Sequence, residues 1–133
     1  MDRNNLRDDK AASARIPERR GAPRYAACFP VHLMPMTEDL ERLGVSQQVS
    51  RTGGLFMTQY KLREGEPIRV RLFVSEDTSH PRVATARVVW SNKRRQTNSY
   101  WLYDAALRFD DPIDDAEPQV KRLYEKQRRW MGG

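Results

Sequence analysis

Apolar and polar residues alternate in short runs between residues 25 and 109 of the chain. A period of two is typical of β-strands that bury one face. The runs predict six strands, at residues 25–34, 42–50, 55–60, 68–74, 82–90 and 100–109. Turn-forming residues separate them, and the strongest turn signal is Arg51-Thr52-Gly53-Gly54. Because no long helix is predicted between these strands, the pattern indicates an antiparallel barrel or sandwich.

The alternation also assigns side chains to the interior. In the first strand we interpret Cys28 as a small buried hydrophobe. In the second strand we expect Leu43 and Val45 to face the core, followed by Gln47 or Val49.

The pattern changes to a helical period near the C-terminus. One face of a helix from about residue 115 carries Val120, Leu123, Tyr124 and Gln127. Pro118 suits the first turn of that helix, where its missing N–H costs nothing. Asp114 or Asp115 is predicted to cap the helix. We expect the apolar stripe of the helix to cover part of the barrel.

Composition narrows the functional classes. Charged residues make up 32% of the 133 residues and the net charge is +6, which favours an acidic partner: a nucleotide, a nucleic acid, an anionic lipid or an acidic protein surface. The single cysteine indicates a reducing compartment. No run approaches the roughly 20 apolar residues of a membrane span, and residues 1–10 do not resemble a signal peptide. The predicted location is therefore cytoplasmic, without membrane insertion.

No group of residues predicts catalysis, a metal site or a bound cofactor. His32 and His80 have no neighbouring partner in the sequence that suggests a base or a metal ligand. The acidic cluster of Asp110, Asp111, Asp114 and Asp115 lacks the glycine and the ligand spacing of a calcium-binding loop. We therefore expect a binding protein rather than an enzyme.

Two polar motifs carry the candidate chemistry. The first, Arg19-Arg20-Gly21-Ala22-Pro23-Arg24, is a basic loop before the first strand, and the second, Gln48-Val49-Ser50-Arg51-Thr52-Gly53-Gly54, contains the strongest turn. In a closed barrel both motifs can lie at one rim. The guanidinium fork of arginine matches O6 and N7 of guanine and also binds phosphate. These residues predict a site for an anionic ligand that carries guanine.

The order and spacing of the two motifs resemble the PilZ domain family. Its pattern is Arg-x-x-x-Arg, a strand, and then Asp/Asn-x-Ser-x-x-Gly. Arg20-x-x-x-Arg24 matches the first part, and Gln48-x-Ser50-x-x-Gly53 matches the second except at Gln48. The resemblance implies a mainly β fold, a six-stranded antiparallel barrel with a C-terminal helix, over residues 18–131. Residues 1–17 are predicted to form a flexible N-terminal tail, which a basic loop follows.

The resemblance further implies that the ligand is cyclic di-GMP, a bacterial second messenger. Arg20, Arg24, Ser50, Gly53 and Gly54 are then the ligand-binding residues, together with Arg19 and Gln48. Arg19 stands where a basic residue in the family accompanies a stacked ligand dimer, which predicts two ligands per chain. Ser50 has a second interpretation, in which its side chain caps the turn rather than binding the ligand. Gly53 and Gly54 have a second interpretation as well, in which they only form the turn.

Gln48 departs from the family pattern. Its neutral amide cannot give the charge-assisted bond that an aspartate would offer, so we expect weaker binding. One alternative is therefore a degenerate PilZ domain that does not bind the nucleotide and acts as an adaptor for an effector protein. Another is a small basic barrel that binds RNA or single-stranded DNA. Trp90 and Trp101 are core or surface aromatics in the simpler interpretation and flank the site in the alternative one. Lys93-Arg94-Arg95 is interpreted as a solvated hairpin tip, with a secondary phosphate contact as the alternative.

Overall fold

The computed structural model describes residues 22–75, 79–95 and 99–132. The predicted tail at residues 1–17 lies outside these residues, as do Arg19 and Arg20. Six strands and one helix make up the fold. In chain order they are β1 (Pro30–Pro35), β2 (Arg42–Ser50), β3 (Gly53–Thr58), β4 (Pro67–Leu72), β5 (Arg82–Lys93), β6 (Tyr103–Phe109) and α1 (Glu117–Gly132).

The strands close into an antiparallel barrel in the order β1-β2-β3-β6-β5-β4. The barrel closes where β1 pairs with β4, with Leu33 opposite Val70. Because β3 lies between β2 and β6, residues far apart in sequence meet there, and Gly53 pairs with Arg108. The predicted six-stranded antiparallel barrel with a C-terminal helix is confirmed.

The interior is filled by the inward positions of all six strands. Phe56, Leu33, Ile68 and Leu72 are among the largest fully buried side chains. Burial of one such side chain contributes about 1.5–3 kcal/mol relative to its exposure. Each of these residues lies at an inward position of its strand, so together they fill the interior of the barrel.

The inward positions of β2 differ from the sequence prediction. Leu43 is 45% exposed and Val45 is half-buried, whereas Gly44 and Ser46 are buried. A Cβ atom at Gly44 would lie 3.2 Å from a methyl group of Val31, so the small residue leaves room for the core side chains of β1. The assignment of Leu43 and Val45 to the core was therefore wrong.

A β-bulge changes the facing of β2 halfway along. The register with β3 shifts between Ser46 and Gln48, which leaves Gln47 as the extra residue. Val49 is consequently fully buried, and Gln48 faces outward. A second register shift lies in the pairing of β5 with β6, between Val88 and Trp90, and it likewise changes which residues of β5 face inward.

The helix α1 packs on the barrel through the predicted stripe. Val120 is buried, while Leu123 and Tyr124 pack against the core cluster and are half-buried. Asp114 accepts a 3.3 Å bond from Arg51, and the first helical N–H groups bond backbone oxygens. The prediction that a side chain of Asp114 or Asp115 caps the helix was wrong, because the first helical N–H groups bond the backbone oxygens of Asp114 and Ala116 instead.

Asp115 and Arg82 form a bidentate ion pair that links β5 to the residues just before α1. Arg82 Nε donates to one carboxylate oxygen at 2.7 Å, and its Nη2 donates to the other at 3.0 Å. The hydrogen bond from Arg82 lowers the pKa of Asp115 below its ordinary value. The pair is largely exposed, so solvent weakens its contribution to stability.

Candidate ligand-binding site

The segment before β1 runs antiparallel beside the second half of β2. Tyr25 and Val49 exchange two backbone hydrogen bonds of 2.9 Å. Continuation of this register places Arg24 opposite Ser50 and residue 26 opposite Gln48. Arg24 is exposed. The first motif thus meets the second at one end of the barrel through Arg24.

A buried serine bridges the gap between this pairing and the regular β1–β2 ladder. Ser46 Oγ accepts a hydrogen bond from Phe29 N at 2.9 Å and donates one to Ala27 O at 2.6 Å. These bonds satisfy backbone groups that the ladder leaves unpaired. Ser46 therefore keeps the segment that carries Arg24 against β2.

The helix α1 holds the same segment from the other side. The side-chain amide of Gln127 accepts a bond from Cys28 N at 2.9 Å and donates one to Cys28 O at 2.7 Å. The rings of Tyr25 and Tyr124 lie 5.7 Å apart between centroids. Cys28 itself is exposed, because Phe29 takes the inward position. The interpretation of Cys28 as a buried hydrophobe was therefore wrong.

Ser50 stabilises the turn between β2 and β3. Its hydroxyl oxygen accepts a bond from Thr52 N at 3.1 Å and lies 3.1 Å from Thr52 Oγ1 and 3.3 Å from Gly53 O. The Ser50 residue is 7% exposed. Ser50 thus caps the turn, which is one of the two roles predicted for it. A role in ligand binding stays a prediction.

The two glycines begin β3 rather than form the turn, which consists of Arg51 and Thr52. A Cβ atom at Gly53 would lie 2.3 Å from Leu107 O, and one at Gly54 would lie 2.5 Å from Gln48 O. Such distances are far inside van der Waals contact. Glycine is therefore required at both positions because neighbouring strands approach closely. The alternative prediction that Gly53 and Gly54 form the turn was wrong, since both residues belong to β3.

Gln48 belongs to a row of half-buried residues across the outer face of four strands. In this row Gln48 pairs with Leu55, Leu55 with Ala106, and Ala106 with Trp90. Neighbouring strands lie about 4.8 Å apart, so Gln48 and Ala106 are separated by roughly 10 Å. Trp90 is thus on the outer face of the barrel, three strands from Gln48.

Arginines surround this row at the β2–β3 end. Arg24 precedes Tyr25, which pairs with Val49 next to Ser50, and Arg108 of β6 pairs with Gly53. Arg51 lies in the turn itself and is joined to Asp114. Sequence reasoning missed Arg108 and Ala106, because their position depends on the pairing of β3 with the distant strand β6.

The remaining candidate residues of the sequence lie elsewhere. Arg94 is half-buried and forms an ion pair with Asp104, which also accepts a 2.8 Å bond from Gln47. The basic hairpin is therefore only partly the solvated tip that the sequence indicated. Trp101 is half-buried and packs edge-on against Tyr100, with ring centroids 4.9 Å apart.

No cluster of three or more His, Cys, Asp or Glu side chains in residues 22–75, 79–95 and 99–132 has a geometry that could hold a metal ion. Within the same ranges, no helix combines the length and apolar character that crossing a membrane requires.

Comparisons with known proteins agree with the barrel. The PilZ domain family matches residues 18–126. No curated protein sequence matches the chain. The structure of the Bacillus subtilis inhibitor of motility MotI/DgrA is similar with a TM-score of 0.61 at 15% identity, covering 85% of this chain and 52% of that one. This chain therefore spans about half of that protein's structure.

Two isolated PilZ domains are similar over nearly their whole length. The PilZ domain of YcgR from Escherichia coli, solved with c-di-GMP, has a TM-score of 0.58 at 15% identity and covers 84% of this chain and 93% of that one. The PilZ domain of CeSA from a cellulose-synthesizing bacterium has a TM-score of 0.50 at 19% identity, covering 79% and 97%. The family match extends over most of the chain, and the chain belongs to the PilZ domain family.

Proposed function

We propose that this chain is a cyclic di-GMP receptor that signals through protein contacts and catalyses no reaction. The observation that carries the proposal is the pairing of Tyr25 with Val49, which places Arg24 opposite Ser50. Arg24, the second arginine of the first motif, thereby lies near the second motif, which supports the proposal. The similar PilZ domain of YcgR was solved with c-di-GMP, which supports the same ligand class.

The chemistry of the rim suits this ligand. Cyclic di-GMP offers two guanines and two phosphates in one compact ring, and each arginine can bind either group with two parallel hydrogen bonds. Arg20 and Arg24 are proposed to engage the guanine edge or a phosphate. Leu55 and Ala106 provide a small apolar floor on which a purine face can rest. Gly53 adds no side chain to this floor.

Gln48 is proposed to bond the guanine edge with its amide. It faces outward beside the floor, at the first position of the second motif. A neutral hydrogen bond is roughly half as strong as one to a carboxylate. The proposal therefore includes an affinity below that of a chain with aspartate at this position.

Arg19 is proposed to favour a stacked ligand dimer, with two molecules bound per chain. Calorimetric titration measures this stoichiometry directly. A value of two supports the role of Arg19, and a value of one removes it without affecting the proposed site of the first ligand.

Affinity measurements with arginine variants test the proposed function. Titration of the wild-type chain with cyclic di-GMP should show saturable binding, and ligand at a hundredfold excess over Kd should raise stability by about 2.7 kcal/mol. Arg20→Ala and Arg24→Ala should each lose binding. Arg69→Ala is the matched control, since Arg69 is exposed on β4 and is not part of the rim. Equal affinity in all four proteins would refute the site.

A second candidate is a protein adaptor that does not bind the nucleotide, and Gln48 is the observation that favours it. The adaptor would fold normally and show no rise in melting temperature with cyclic di-GMP. A nucleic-acid-binding barrel would instead bind RNA or single-stranded DNA with an affinity that falls steeply with salt.

Ligand binding is further proposed to order the basic loop and to present a new surface to an effector protein. Trypsin should then cleave after Arg19 and Arg20 more slowly when cyclic di-GMP is bound. Equal cleavage rates would contradict this step. The cytoplasmic location predicted from the sequence is part of the same proposal.

A further inference from the structure

The positive charge of the chain is concentrated at its two ends. Residues 25–116, which contain the whole barrel, carry twelve basic and twelve acidic side chains and are neutral overall. The helix α1 carries five basic and two acidic side chains, a net +3 that is half of the +6 of the chain. The other half lies in residues 1–24, where the proposed ligand arginines are. The charge of α1 is therefore a separate feature that the ligand site does not explain.

The charges of α1 lie on the face that points away from the barrel. The exposed side chains from Pro118 to Trp130 include five basic residues and one acidic residue, Glu125. Arg122, Lys126 and Arg129 follow the spacing i, i+4, i+7 and form one stripe. With a rise of 1.5 Å per residue, the stripe and Trp130 together extend over about 12 Å.

Trp130 lies at the end of this stripe and is 83% exposed. An exposed tryptophan beside arginines has the composition of an interaction hot spot, in which one aromatic anchor fills a pocket and charges fix the orientation. The buried side of α1 is already used, because Val120, Leu123 and Tyr124 pack on the barrel.

We propose that the exposed face of α1 is a docking surface for an acidic protein surface, with Trp130 as its anchor. Charge complementarity favours this partner, since five cations and one anion face outward. A lipid surface fits less well because the apolar side chains that would enter lipid are packed on the barrel. This inference does not depend on nucleotide binding.

A labelled synthetic peptide of Glu-Glu-Leu repeats is the probe, since it offers carboxylates beside an apolar anchor site. Fluorescence anisotropy should show binding to the wild-type chain, and Arg122→Glu/Arg129→Glu should weaken it at least about tenfold, as expected when a hot spot is lost. Trp130→Ala should weaken it by a similar factor. Lys61→Glu/Arg69→Glu changes the net charge equally at exposed positions of the barrel and should have less than about a twofold effect.

Two further probes test whether lipid or nucleic acid, rather than an acidic protein, binds this face of α1. Vesicles of phosphatidylcholine with phosphatidylglycerol, and oligothymidylate, should each bind more weakly than the peptide and should be insensitive to Trp130→Ala. The proposal is overturned if the peptide does not bind, or if charge reversal on α1 has no larger effect than the control. Tighter binding of either vesicles or oligothymidylate, lost in the α1 variants, would also overturn it and would assign the surface to lipid or nucleic acid. Circular dichroism spectra of all variants establish that each is folded.

Discussion

Replacement of Gln127 by leucine tests whether α1 holds the segment that carries Arg24. The side-chain amide of Gln127 makes two hydrogen bonds to the backbone of Cys28, at 2.9 and 2.7 Å. Leucine keeps a good helix former of similar size at this half-buried position but removes both bonds. The substitution therefore isolates the contribution of the amide from that of helix packing.

The expected loss follows from the two bonds and their exposure. A protein hydrogen bond contributes about 0.5–1.5 kcal/mol net, and here water can reach the freed groups because Cys28 is exposed. The free energy of unfolding should fall by about 1–2 kcal/mol. For a chain of this size the melting temperature should drop by roughly 3–6 °C.

Urea denaturation and amide hydrogen exchange measure the global and local effects. The Cys28 amide should exchange faster in Gln127→Leu, and the affinity for cyclic di-GMP should fall because the segment is less well held. Gln119→Leu is the matched control, since Gln119 is also half-buried on α1 and its side chain has no hydrogen bond among the described residues. Unchanged stability and unchanged Cys28 exchange in Gln127→Leu would refute the reasoning.

Three other changes give distinct results. Gln48→Asp should tighten cyclic di-GMP binding in calorimetric titration, and no change would show that position 48 does not touch the ligand. Gly53→Ala should destabilise the barrel by about 1–3 kcal/mol in urea, because its Cβ would lie 2.3 Å from Leu107 O; a stable variant would contradict the close approach. The pKa of Asp115 is lowered in the folded protein, so its stabilising effect is complete above the ordinary aspartate pKa of about 3.9 and disappears as the pH falls through the lowered value. Wild type should therefore lose slightly more stability than Asp115→Asn on acidification, and identical losses would mean that the ion pair contributes nothing.

The alternation of apolar and polar residues predicted an antiparallel barrel or sandwich followed by a helix, and the resemblance to the PilZ family selected the six-stranded barrel. Strands with strict alternation, such as β4, follow from local pattern alone, since one buried face determines which residues point inward. The spacing of Val120, Leu123 and Tyr124 likewise placed the buried face of α1. The meeting of Arg24 with the second motif was predicted from barrel closure and is present in the structure.

The remaining features depend on contacts between distant parts of the chain. The bulge at Gln47 reverses the facing of β2 and belongs to its pairing with β3. In the first half of β2, Gly44 faces inward because Val31 of β1 lies close to it. Arg108 reaches the rim only because β6 lies beside β3. The bonds between Gln127 and Cys28 join residues 99 positions apart, which no local pattern reveals.

The most direct test of the central claim is to locate the ligand on the protein by NMR. Titration of the wild-type chain with cyclic di-GMP should shift the backbone amide resonances of Ser50 and Gly53 at the rim. The amide of Gly65, which is bonded to Val88 O in the connection between β3 and β4, should not move. Saturable shifts confined to the rim are the predicted result. Shifts at Gly65 without any at Ser50 and Gly53, or no shifts at a large excess of ligand, would contradict the account.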